Sequence, residues 1–350
     1  MEKPSMKELG QIDRQLAELM SERAKVFLRS VIELSPDHII SYEEDILKQL
    51  EEIDLQPLDE QIVSRILREL FSASRSLLGP ETVSYLGPEA SFTHQAAFRR
   101  FGPSAKLIPC DSISAVFRSV ISEESAYGVV PVENSTEGAV TYTLDLLVNS
   151  DVQISAEANL RISHCLMSAD GREDFSVVYS HPQVFAQCRE WISKNLPDVE
   201  LKELKSTAEA AKRARDDGAA AIASRLASEL YGLKIIRAGI EDNPDNSTRF
   251  LVLSKRNPPP TGDDKTSICF ALRDRPGALY DALHPFKEKG TNLTMIQSRP
   301  SKVRNWDYVF FADMEGHRCD KNVADALREL QESCIFLRIL GSYPRNDSVQ

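Results

Sequence analysis

The sequence predicts a multidomain protein: an all-α N-terminal helical domain, a two-lobed α/β domain in the middle and an α+β ferredoxin-like domain at the end. Three observations carry this. Before Leu78-Gly79-Pro80, apolar residues recur at three- and four-residue steps. After it, short β-rich runs alternate with helical stretches. Beyond a proline-rich linker, the order becomes strand, helix, strand, strand, helix, strand. The predicted domains are residues 1–79, 80–257 and 258–350.

In the first domain, Leu9, Ile12, Leu16, Leu19, Met20 and Phe27 make a long amphipathic stripe. Ile46, Leu47, Leu50 and Ile53 make a second. Ile62, Ile66, Leu67, Leu70 and Phe71 make a third. Pro36 and Pro57 punctuate them. So few helices bury their faces poorly alone, so this domain is expected to dimerise. In the second domain, strands are predicted at 82–86, 106–109, 127–132, 177–179, 201–204, 219–223 and 250–253. Residues 256–264, Arg-Asn-Pro-Pro-Pro-Thr-Gly-Asp-Asp, read as a linker. The third domain follows with strands at 266–272, 293–298, 308–313 and 336–341 and helices at 277–289 and 323–332.

Composition narrows the function. The 350 residues are 42% hydrophobic and 27% charged, as in ordinary soluble proteins. Net charge is −11, from 42 Lys+Arg against 53 Asp+Glu. That balance argues against nucleic-acid or membrane-surface partners. It also means that an anionic ligand must be captured by a local site. Six scattered cysteines without CxxC or metal-like spacing read as reduced thiols, which predicts a cytoplasmic protein. The first residues, Met1 to Arg14, lack a signal-like apolar core, and no run is long and apolar enough to span a bilayer.

Strand ends in the middle domain run repeatedly into hydroxyl-rich turns: Gly87 to His94, Asp111-Ser112, Glu133 to Gly138, Ser180-His181-Pro182-Gln183, Ser206-Thr207 and Ser224. Ligands of open α/β sheets sit outside the carboxyl ends of strands. Singly, such residues are helix caps; together they point to a polar cleft for a small carboxylate. Glu133 ends an apolar run beside Asn134, as a tuned acid or base or as a cap. In Asn246-Ser247-Thr248-Arg249-Phe250, an arginine next to a threonine suits a carboxylate grip beside a hydroxyl donor.

Four of these motifs carry a family resemblance. Tyr85-Leu86-Gly87-Pro88-Glu89-Ala90-Ser91-Phe92, Val130-Pro131-Val132-Glu133-Asn134-Ser135, Ser180-His181-Pro182-Gln183 and Thr248-Arg249-Phe250 resemble, in order and spacing, the prephenate dehydratase family. Ala90 stands where the family usually has glycine. The resemblance implies a two-lobed, periplasmic-binding-protein-like domain with its active site in the cleft. It implies conversion of prephenate to phenylpyruvate, CO2 and water, without metal or organic cofactor. Thr248 would assist departure of the ring hydroxyl. Glu133, Asn134 and Gln183 would position it. Arg249, Ser91, Ser135 and Phe250 would bind substrate.

The last domain resembles the ACT regulatory domain through Arg275-Pro276-Gly277-Ala278-Leu279 and Gln297-Ser298-Arg299-Pro300. This implies an L-phenylalanine site from Gly277, Ala278, Leu279, Asn292, Gln297, Ser298 and Arg299, with Gln297 in place of the usual glutamate. It also implies side-by-side pairing of such domains and a homodimer or homotetramer. The first domain resembles the all-α chorismate mutases, with Arg23, Glu43 and Ser74 at site positions. Met6, Leu34, Tyr42 and Leu78 stand where that family has Arg, Lys, Arg and Gln. Losing one placed electrostatic donor costs about 3–4 kcal/mol of barrier, so mutase activity is expected to be weak or absent. The competing readings are a fully bifunctional enzyme, an arogenate dehydratase and a non-catalytic carboxylate-binding module.

Overall fold

The computed structural model describes residues 6–31, 39, 42–43, 46–47, 49–50, 53–79, 81–300 and 308–346. Leu34 and Pro36 lie outside them. Contacts divide the chain into two units: the N-terminal part through Glu81 with Phe101–Lys106, and Thr82–Arg100 with everything from Leu107 onward.

In the first unit, helix α1 spans Met6–Ser30 and α2 spans Glu60–Ser76. Asp59 caps α2 by accepting the Ile62 N–H. On α1 only Phe27 is buried; Leu9, Ile12, Leu16, Leu19 and Met20 remain exposed.

The second unit holds three sheets. The first is built from β1 (Thr82–Leu86), β2 (Lys106–Cys110), β3 (Tyr127–Asn134), the short β4 (Gly138–Ala139), β5 (Gln153–Arg161) and β11 (Ser247–Ser254), in the order β2-β1-β3-β11-β5. β1 and β3 are parallel, while β11 runs antiparallel to both neighbours. Helices α3 (Phe92–Phe101), α4 (Ile113–Ile121) and α5 (Thr141–Asn149) connect its strands. The second sheet has the order β10-β6-β9-β7-β8, from β6 (Cys165–Ser168), β7 (Val177–Ser180), β8 (Glu200–Glu203), β9 (Ala220–Ala223) and β10 (Lys234–Ala238). Its helices are α6 (Pro182–Gln187), α7 (Arg189–Asn195), α8 (Thr207–Asp217) and α9 (Arg225–Tyr231). The chain passes from the first sheet to the second after Arg161 and returns before Ser247. Alanines on α8, α9 and β9 let helix and sheet approach closely around Met167 and Tyr179.

The third sheet, β13-β14-β12-β15, is antiparallel, with β12 (Asp264–Leu272), β13 (Leu293–Pro300), β14 (Tyr308–Glu315) and β15 (Cys334–Pro344). Helices α10 (Ala278–Lys289) and α11 (Lys321–Ser333) cover one face around Phe270, Phe286 and Leu330. The other face shares a core with the first sheet: Cys269, Phe311, Leu340 and Tyr343 pack with Val130, Leu147, Ile154 and Leu251. At Gly341 the backbones come so close that a Cβ would overlap the backbone of Ile154.

Strands β5, β6 and β10 were not expected from the sequence. β5 reads Gln-Ile-Ser-Ala-Glu-Ala-Asn-Leu-Arg, and its Ser155 and Glu157 are buried. The alternation signal fails because these polar side chains are buried, and Glu157 there meets Arg249 of the first sheet and Lys265 of the third.

Candidate active site

The ends of β3 and β11 are stitched together by Asn134. Its Nδ2 donates to Thr248 Oγ1 at 2.8 Å, Asn246 Oδ1 at 2.9 Å and Ser247 O at 3.2 Å. Its Oδ1 accepts the N–H groups of Thr136 and Glu137, both at 3.0 Å. The asparagine therefore has no freedom to rotate. Because Thr248 Oγ1 accepts a hydrogen bond, its own O–H proton remains to be given to a ligand. Ser135 adds a clamp: its Oγ accepts the Ser247 N–H at 3.0 Å, and its N–H donates to Ser247 O at 2.9 Å. Asn246, buried, accepts from Asn134 and from Thr136 Oγ1 at 3.3 Å. Asn246 opens the Thr248 motif, and nothing in the sequence marks it as a partner of Asn134.

Across from this cluster stands the second sheet. Glu137 accepts a hydrogen bond from Gln183 and a longer one, 3.4 Å, from Gln187 on α6. Gln187 Oε1 also meets His164 Nε2 at 2.8 Å. His164 lies in the first crossing between the sheets, edge-on to Phe92 with ring centroids 5.5 Å apart. Gln183 is thus joined to the Asn134 turn through Glu137. Glu137, Gln187 and His164 join the candidate site only through these contacts, and no sequence signal singles them out.

The serine-rich turns are largely caps. Ser112, Ser206 and Ser224 accept N–H groups at the starts of α4, α8 and α9, and His181 does so for α6. Ser91 Oγ accepts the His94 N–H at 3.1 Å and donates to Leu86 O at 3.2 Å. Ser224 also donates to Ala90 O at 2.9 Å, fastening this loop to the second sheet. Ala90 has φ +66°, a left-handed conformation natural to glycine. The Ala90 N–H is received by His94 Nδ1 at 2.9 Å, and His94 stacks on Tyr85. Among the described residues, no group of three His, Cys, Asp or Glu is placed to hold a metal, and no helix is long and apolar enough to cross a membrane.

Four site expectations need correction. Arg249 neighbours Thr248 on β11, but strand alternation sends it to the opposite face. There its Nε meets Glu157 at 2.8 Å and its Nη1 meets Asp313 at 2.7 Å. Glu133 pairs in register with Arg249, and Asn134 with Thr248. Glu133 therefore points away from the Asn134–Thr248 face. Arg299 turns from the effector loops to α5, where it ion-pairs with Asp145 at 2.8 Å and donates to Thr141 O. Phe250 is buried at 1% exposure and can support the site only from beneath.

Of the other effector candidates, Gly277 has φ +78° at the start of α10, directly before Ala278 and Leu279. Asn292 accepts the Glu315 N–H at 3.0 Å. Gln297 and Ser298 sit on the edge strand β13, with Ser298 exposed. In the first unit, Arg23 donates to Ser74 at 2.8 Å and lies over the Phe71 ring, while Glu43 is held by Arg75. Burial lowers the pKa of Arg23, and Glu43 opposes that shift.

Burial also pushes the imidazoles of His94 and His164 below their ordinary range, partly offset by nearby carboxylates and, for His164, by Gln187. On acidification the unfolded chain takes up protons that the folded rings resist. The histidine contribution is therefore complete above about pH 6.5 and declines as pH falls below it. Thermal unfolding followed from pH 8 to pH 5 should show this loss, and His164→Gln should flatten the slope.

Comparison with known proteins identifies the family. A family model described as prephenate dehydratase matches residues 83–258, and one described as ACT domain matches residues 267–332. The bifunctional chorismate mutase/prephenate dehydratase of Aquifex aeolicus is 46% identical, covering 97% of this chain and 96% of its own. A crystal structure of a prephenate dehydratase in complex with L-Phe from Arthrobacter aurescens aligns with TM-score 0.69 and 37% identity, over 76% of this chain and 90% of its own. A quorum quenching acylase, GqqA, aligns with TM-score 0.70 and 30% identity, over 76% of this chain and 99% of its own. The fold alone therefore does not choose the chemistry; the side chains at the site do. The four motifs, the two family matches and the nearly full-length relative agree: the chain belongs to the prephenate dehydratase family.

Proposed function

We propose that the chain dehydrates and decarboxylates prephenate in the cleft between its first two sheets and is inhibited by L-phenylalanine at its ACT domain. The observation that carries the reading is the 2.8 Å hydrogen bond from Asn134 to Thr248 Oγ1, which leaves the threonine proton available. In the reaction the ring C–OH bond breaks as the bond to the ring carboxylate gives up its electron pair to the ring. CO2 leaves, the ring becomes aromatic, and the departing hydroxide takes up a proton to become water. A hydroxyl polarised by Asn134 is a stronger donor to that oxygen. Gln183, tied to Glu137, stands on the opposite wall to orient the substrate. Ser91 and Ser135 order the two loops, and the N-terminal end of α3 favours a substrate carboxylate.

The test is turnover of prephenate to phenylpyruvate by the full chain, with arogenate as the competing substrate. Prephenate turnover is expected to dominate; faster turnover of arogenate would reassign the enzyme, and turnover of neither would refute the reading. For the effector site around Gly277, Gln297 and Ser298, Ser298→Ala should shift the phenylalanine inhibition curve to higher concentration. An unmoved curve would remove Ser298 from the site.

The N-terminal unit is proposed as a weak mutase and a pairing surface, through the exposed stripe of α1. Arg75 is held by Glu43, by Glu81 at 3.2 Å and by Phe101 O at 3.1 Å. Of Arg23 and Arg75, that leaves Arg23 to meet a dianion. The nearly full-length relative named bifunctional favours the opposite reading, an active mutase. Supplying the full chain with chorismate decides: slow product formation, limited by the mutase step and not by dehydration, is expected. Equal rates from chorismate and prephenate would establish the bifunctional enzyme.

A further inference from the structure

Arg249 is better employed than as a substrate ligand. Its guanidinium, 15% exposed, reaches Glu157 on β5, Asp313 on β14 and, at 3.1 Å, the Tyr343 hydroxyl on β15. Ser267 on β12 lies between the last two, donating to Asp313 Oδ1 at 2.6 Å and 2.7 Å from the Tyr343 hydroxyl. The donors and acceptors close a ring. Arg249 donates to Tyr343, Tyr343 to Ser267, Ser267 to Asp313, and Asp313 returns to Arg249 by an ion pair. Lys265 completes the charges by meeting Glu157 at 2.6 Å. Two cations face two carboxylates, and Glu157 is fully buried.

This cluster joins the two ends of the proposed regulation. Arg249 precedes the buried Phe250 and follows Thr248 on one strand, so its anchoring sets the twist and depth at which Thr248 is presented. Asp313 sits on β14, whose neighbour β13 carries Gln297 and Ser298, with Met295 of β13 in register with Asp313. The packing around the cluster is tight: Tyr343 and Phe311 share a core with β3 and β5. Such a close-packed polar ring has few intermediate arrangements, so a shift of β14 is passed to β11 and not absorbed.

We infer that Arg249 is a positioning residue, which sets the Thr248 hydroxyl from the ACT-domain side through Glu157, Asp313 and Tyr343 and so carries the phenylalanine signal to the cleft. The inference rests on the proposed roles of Thr248 and of phenylalanine.

Its test uses the full chain with Asp313→Asn, Tyr343→Phe and Arg249→Lys. Lysine keeps the charge but places its donors on one nitrogen, without the planar fork by which Arg249 reaches three separate strands. Each variant is assayed for kcat, KM for prephenate and the inhibition curve, with phenylalanine binding followed separately by calorimetry. A misplaced donor should lower kcat by roughly tenfold or more while KM stays within about twofold. Inhibition should weaken by about fivefold or more while phenylalanine still binds. Tyr343→Phe keeps the buried ring and reports even if Asp313→Asn unfolds. The inference is overturned if Arg249→Lys raises KM at unchanged kcat while the other two behave as wild type, because Arg249 would then grip substrate. Inhibition curves unchanged in all three would overturn it as well. If the wild type is inert toward prephenate, the functional reading itself fails; if it is active but insensitive to phenylalanine, only the regulatory half fails.

Discussion

Thr248→Ala is expected to lower kcat for prephenate by about 10²–10⁴-fold, the usual cost of losing a placed proton donor. KM should change little. The hydroxyl matters to the departing oxygen far more than to the ground-state substrate, and the carboxylates are held elsewhere. Folding should survive the change. Asn134 keeps Asn246 and Ser247 O as acceptors, and the Thr136 and Glu137 N–H groups as donors. Thr248→Ser should restore much of the rate, because it returns the O–H that Asn134 orients. Steady-state kinetics on the three proteins, with thermal unfolding as a control, checks this. A KM effect without a kcat effect would make Thr248 a binding group only.

Glu157→Ala should have the largest effect on stability. Glu157 receives Arg249 Nε at 2.8 Å and Lys265 Nζ at 2.6 Å and is completely buried. Without it, Arg249 loses one of its two carboxylates and Lys265 loses its Glu157 ion pair. Breaking a buried ion pair from one side costs about 3–5 kcal/mol, because the remaining charge is left unsolvated. Denaturant unfolding should show a loss of this size. A Glu157→Ala protein as stable as wild type would mean that water or rearranged side chains replace the carboxylate.

Much of the fold was legible in the sequence because its elements follow simple periodicities. The long apolar stripe of α1 follows from three- to four-residue spacing, and the strand of Val129 and Val130 from a short continuous apolar run. The missed strands β5, β6 and β10 are those in which this signal is weakest. β5 buries a serine and a glutamate, and their partners Val252, Arg249 and Lys265 lie 97, 92 and 108 residues further along the chain. The residues of the candidate site were legible only in part. The motifs marked Asn134, Gln183 and Thr248, and the structure brings Asn134 onto Thr248 and ties Gln183 to the same turn. Adjacency misled at Arg249 and Glu133, because neighbours on a strand face opposite ways. Arg299 misled for another reason: its partners Thr141 and Asp145 belong to a helix of the catalytic domain, and no local pattern predicts that contact. His164 and Gln187 were invisible because each is an ordinary residue until the two sheets come together.

The most direct test of the central claim is a crystal structure of the full-length Thr248→Val variant, slowed enough to trap prephenate. The ring hydroxyl is predicted to lie beside position 248 and within about 3.2 Å of a hydrogen-bonding partner from Asn134 or Gln183, with Arg249 still bound to Glu157 and Asp313. A substrate whose ring hydroxyl faces away from this cluster, or whose carboxylate has drawn Arg249 from its acidic partners, would contradict it.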